Sequence, residues 1–135
     1  MNYGIGVRLD RPFAQAVEAV TAALKEQGFG VLTTIDVRAT LHEKIGAEIE
    51  DYLILGACNP ALAHRALDAD RRIGLLLPCN VVVRADGDTT LVEAVDPQTL
   101  VALAGPDGGL GEVADEAARR LGAALDSLRG AASRP

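Results

Sequence analysis

Tryptophan is missing from these 135 residues, and two phenylalanines and two tyrosines supply all the aromatic surface. A chain of this length can still bury about two-thirds of its unfolded surface in one domain. The core must then be built from Ala, Leu and Val, so its packing rests on aliphatic interdigitation. Positive charge is also scarce: the net charge is −6, and a nucleic-acid partner is excluded because phosphate binding needs a basic patch. No stretch reaches the roughly 20 apolar residues that a membrane helix requires. The longest candidate, residues 73–83, is broken by Gly74, Pro78 and Asn80. Met1-Asn2-Tyr3-Gly4 shows neither the basic start nor the apolar run of a secretion signal. A cytoplasmic location is expected, where the only two cysteines would remain reduced thiols.

What is present is a regular alternation of strand and helix signals. Residues 3–9 place Ile5, Val7 and Leu9 on one strand face and Gly4, Gly6 and Arg8 on the other. Asp10 is a candidate N-cap before Arg11-Pro12, and Phe13, Val17, Val20 and Leu24 form one helical stripe that Gly28 ends. Val31 to Ile35 reads as a second strand, after which Asp36 caps a short helix with Val37, Leu41 and Ile45 facing inward and Gly46 as its stop. Tyr52 to Leu55 is a third strand, and Asn59-Pro60 opens a helix burying Leu62, Ala63, Ala66 and Leu67. Residues 73–77 fit either a buried turn or a strand, whereas 80–85 and 89–95 around Asp86-Gly87-Asp88 form a hairpin. Asp96-Pro97 starts a brief helix, residues 105–111 are a Gly-rich linker, and residues 112–130 carry an amphipathic helix striped by Val113, Ala117, Leu121, Leu125 and Leu128. The order is βαβαβαββα plus this C-terminal helix, an α+β arrangement with a single domain over residues 1–104.

The chemistry gathers in two islands, Gly56-Ala57-Cys58-Asn59-Pro60 and Leu77-Pro78-Cys79-Asn80. Cys58 directly precedes a helix start, whose amides and dipole favour thiolate over thiol. Its plainer role is a small apolar filler at a strand–helix junction. Nothing local activates Cys79, and the two cysteines form no C-x-x-C motif. His42 and His64 complete a four-ligand set only on paper, since their spacings match no zinc pattern and both read as exposed. A two-thiol site of Cys58 and Cys79 for soft copper(I) fits better. Asp36 reads as a helix cap, and Lys44 as either an anion ligand or an ordinary solvated lysine. The Gly-rich linker lacks the Gly-Lys-Ser/Thr ending of a phosphate loop. Ser127 and Ser133 have no triad partners.

The run Tyr52 to Pro60, the run Ile73 to Val83 and Val95-Asp96-Pro97 resemble the domain of unknown function 302 family, over residues 3–104. The resemblance implies a two-layer α+β fold, with an antiparallel-rich β-sheet, helices packed on one face, and often a dimer. Asp36, Lys44, Cys58, Asn59, Pro60, Pro78, Cys79 and Asp96 fall on its motif positions. One branch carries Gly-Asn-Pro where this chain has Cys58-Asn59-Pro60, which implies that Asn59-Pro60 serves the helix start and Cys58 is optional. The family has no established activity as a whole.

Together these readings lead to a small homodimeric binding protein. Cys58, Asn59, Cys79 and Asn80, with Lys44 and Asp36, would hold a soft ligand: a thiophilic metal, sulfane sulfur or a sulfur-bearing metabolite. Two alternatives stand beside it. One is an enzyme with Cys58 as nucleophile; the other is a dimerisation or partner-docking domain whose thiols merely pack.

Overall fold

Alternating apolar residues dictate five strands, and in the computed structural model they form one antiparallel sheet. The structure describes residues 2–105 and 108–132, with side chains described to residue 129. The strands are β1 (Gly4–Leu9), β2 (Gly30–Asp36), β3 (Tyr52–Cys58), β4 (Cys79–Asp86) and β5 (Thr89–Val95), in spatial order β1-β5-β4-β3-β2. The expected two-layer α+β fold and its element order are both found. Residues 73–77, which fit either a buried turn or a strand, fall largely in a short 3-10 helix, Arg71–Leu76. Pro106 and Asp107 of the expected linker lie outside the described residues, as does Ser133.

Among the described residues five α-helices complete the fold: α1 (Phe13–Glu26), α2 (Val37–Ile45), α3 (Pro60–Ala69), α4 (Pro97–Ala104) and α5 (Gly111–Ala132). Their starts follow from capping chemistry: Asp36 accepts from the Ala39 amide, Asn59 from Leu62 and Asp96 from Gln98. Asp10 does not act as a cap, because Pro12 occupies that position of α1 and the helix begins one residue later. The buried face of α1 is Ala16, Val20, Ala23 and Leu24, with Phe13 and Val17 at its margin. All five stripe residues of α5 are buried, so this helix shares the core of the sheet. At its far end Arg129 donates to the Gly6 carbonyl on the β1 edge.

One expectation fails outright. Val37, Leu41 and Ile45 do not bury: α2 has no buried residue, and Ile45 is 74% exposed. The reason is topological: β2 is an edge strand, and α2 lies in the connection from it to β3 at the margin of the sheet, where Val37 and Leu41 reach only half burial. The sheet's two faces differ sharply. Val7, Val92, Val83, Val81, Leu55 and Ala94 point into the helical layer and are buried. The register row Gly6, Glu93, Val82, Ile54 and Ile35 lies on the opposite face, where no residue of the row is buried.

Candidate functional site

Both cysteines end up on the wall of one cavity because β3 and β4 are neighbours. Cys79 pairs in register with Ala57, the residue before Cys58. The cavity has a volume of about 340 Å³ and opens between the end of the sheet and helices α3, α4 and α5. That size suits a small molecule, for which pockets run from about 300 to 1,000 Å³. Alanines create it: Ala63 and Ala66 on α3 face Ala114 and Ala117 on α5, leaving space that larger side chains would fill. Phe29, Leu77 and Leu100 close other sides, and Leu32, which is 68% exposed, stands at the rim.

Among the described residues the lining is apolar except for the two thiols and Asn59, with no His, Asp, Glu, Lys or Arg. Water gains little in such a space, because an ordered water needs two to four polar partners. Burial pushes the Cys79 thiol up from 9.0 to about 11, and the nearby Cys58 adds to the rise. Cys79 is therefore a neutral thiol at physiological pH. Cys58 is half-buried, and both cysteines are free.

Asn59 is confined on two sides. Its Oδ1 accepts from the Leu62 amide at 3.2 Å. Its Nδ2 lies so near Gly28 that a Cβ there would approach to 2.9 Å, and Gly28 also has a φ of +83°. The carboxamide thus caps α3 while lying against the turn that leads into β2, and one of the amides expected to face the Cys58 sulfur is already taken. Gly56 is equally constrained: a Cβ would collide with Thr33 Oγ1 and stand 2.9 Å from Pro78 Cγ. The small residue of the first island is what lets the second island's proline approach.

An ionic network holds the cavity's helical walls together. Arg65 on α3 donates to Glu116 on α5, which also pairs with Arg120; Arg120 reaches the Gln27 carbonyl at 3.3 Å. The Arg65 hydrogen bond holds the Glu116 carboxyl below its ordinary range. On the α4 side, Gln98 donates to Asp115.

Of the residues singled out from the sequence, Cys58, Asn59 and Cys79 meet at this cavity. The other three stand elsewhere. Asn80 is exposed and pairs with Gly56, while Asp36 caps α2 and Lys44 is exposed on that helix. His42 and His64 are exposed, set against Glu48 and Asp68. Among the described residues no group of three or more His, Cys, Asp or Glu could hold a metal ion. The alanine-lined walls went unread as a site, although four alanines on two inward helical faces were the available signal.

The comparisons agree with this architecture. The family model for the domain of unknown function DUF302 matches residues 5–128, well past residue 104 and through most of α5. A crystal structure of an uncharacterized conserved DUF302 protein from Bacillus stearothermophilus is similar, with a TM-score of 0.88 and 32% identity. The match covers 96% of this chain and 100% of that one. No curated protein matches the chain. With its family model matched over nearly the whole length, the chain belongs to the DUF302 family.

Proposed function

We propose that this protein binds a small, apolar, sulfur-bearing molecule in the cavity between α3, α4, α5 and the sheet, with Cys58 and Cys79 at the ligand's soft end. The supporting observation is a cavity of about 340 Å³ whose only polar side chains, among the described residues, are two thiols and the Asn59 carboxamide that caps α3. Apolar surface drives the ligand in, at about 25 cal/mol per Å² buried. The polarisable sulfurs then favour a soft atom over a hydroxyl.

Among soft ligands, a neutral sulfur compound suits this lining better than a bare metal ion or an anionic sulfur species. Two thiolates around a monovalent ion would place a net negative charge where the lining supplies no cation. Binding also suits the wall better than catalysis by Cys58, because no lining residue among those described has the chemistry of a general base. A reducing, cytoplasmic compartment, where both thiols stay free, fits the reading.

The test is a titration of ¹⁵N-labelled protein with 1-octanethiol and, in parallel, 1-octanol. The reading expects saturable amide shifts around Cys58, Ala66 and Ala114 with both, tighter for the thiol, and loss of the thiol's advantage in Cys58→Ala. Equal affinity for the two compounds removes the role of the thiols. No saturable shifts remove the cavity as a site.

A further inference from the structure

The two edges of the sheet are finished differently. On the β1 edge, Arg129 donates to the Gly6 carbonyl at 3.2 Å, and the Asn2 side chain accepts from the Gly4 amide at 3.0 Å. Side chains thereby occupy backbone groups that another strand could otherwise pair with. On the β2 edge, Gly30 to Ile35 pair only with β3, and among the described residues no side chain reaches their amides or carbonyls. This stretch also carries no proline and no charge, two devices that protect sheet edges. Its one irregularity, a register shift between Val31 and Thr33, sets Leu32 outside the ladder and leaves it 68% exposed.

A groove of about 300 Å³ runs beside this edge. Thr21 and Lys25 line it from α1, and Gly28, Phe29, Gly30 and Val31 line it from the start of β2. Thr21 and Lys25 are one helical turn apart, so both look toward the strand. A Cβ at Gly30 would meet nothing within 4 Å, so this glycine leaves room for a foreign backbone. Phe29 is buried and Val31 half-buried, giving the groove an apolar floor. Lys25 is exposed and makes no ion pair among the described residues.

We propose that the β2 edge takes up an extended peptide of another protein as an added strand, with an apolar side chain in the groove and an acidic group on Lys25. A helix lying alongside an open edge strand is a setting in which peptides bind by strand addition. Main-chain hydrogen bonds hold the peptide, and the groove reads alternate side chains. Charge complementarity gives the partner its acidic character, because Lys25 is the one charged residue of the groove. The β2 strand of a second copy fits less well: its one acid, Asp36, already accepts from the Ala39 amide at 2.9 Å. The seven residues of β2 offer about 24 Å of edge at about 3.4 Å per residue, room for a heptapeptide.

The test is selection of phage-displayed random heptapeptides on the full chain, followed by titration of the enriched peptides into ¹⁵N-labelled protein. Enriched peptides are expected to share an acidic residue. Bound peptide is expected to slow hydrogen exchange at alternate amides of Gly30 to Ile35, those not bonded to β3. Affinity is expected to fall about tenfold in Lys25→Glu. Lys25 is exposed, so this variant keeps the core, and Lys25→Ala gives a second, smaller loss. No enrichment overturns the proposal, as does protection that falls elsewhere or affinity unchanged in Lys25→Glu. Protection of β2 amides without peptide that disappears on dilution also overturns it, by giving the edge to a second copy.

Discussion

At the scale of single residues, the two cysteines are chemically unequal although their sequence islands look alike. Cys58 is half-buried, whereas Cys79 is buried with its thiol pushed up to about 11. Limited alkylation at pH 8 is expected to label Cys58 and spare Cys79; equal labelling would contradict the burial. The raised value also ties stability to pH. Cys79 stays protonated in the folded chain while the unfolded chain ionises from pH 9.0, so its contribution is whole below that pH and is lost as pH rises to about 11. The loss amounts to roughly 2–3 kcal/mol, and Cys79→Ser is expected to abolish this part of the alkaline decline in chemical denaturation. Gly56 makes a second residue-scale claim. Gly56→Ala forces a Cβ onto Thr33 Oγ1 and Pro78, at an expected cost of about 1–3 kcal/mol. Adding Thr33→Ala recovers part of that cost, and strictly additive losses would show that Thr33 is not the obstacle.

At the scale of elements, the cavity exists because α3 and α5 present alanines to each other while Arg65, Glu116 and Arg120 hold those helices in place. Ala66→Leu is expected to fill the space, leave the fold intact and abolish 1-octanethiol binding; retained affinity would put the ligand elsewhere. The elements themselves were largely legible in the sequence, because their signals are local. Asp36, Asn59 and Asp96 cap the helices they precede, and Asp86-Gly87-Asp88 marks the hairpin. Asp10 misled because a proline two residues later offered a competing N-cap position. The stripe of α2 was read correctly as apolar and wrongly as buried: periodicity reports that a face is apolar, and only tertiary neighbours decide whether it is covered.

At the scale of the whole molecule, the sheet separates two surfaces. The helical side holds the cavity, and the opposite side carries the register row from Gly6 to Ile35. Strand order decided what the sequence could not reveal about the site. Cys58 and Cys79 come together because β3 and β4 pair, whereas Asn80, next in sequence to Cys79, alternates onto the opposite face. Lys44 and Asp36 are carried away on the α2 excursion. Among the described residues no helix is long and apolar enough to cross a membrane. The central claim is that the cavity holds a small sulfur-bearing molecule against its thiols. Native mass spectrometry of protein purified without air or added metal tests it most directly. The account predicts a small-molecule mass above that of the bare chain, absent from both Cys58→Ala and Ala66→Leu. A bare wild-type chain, or an added mass that survives in Cys58→Ala, would contradict it.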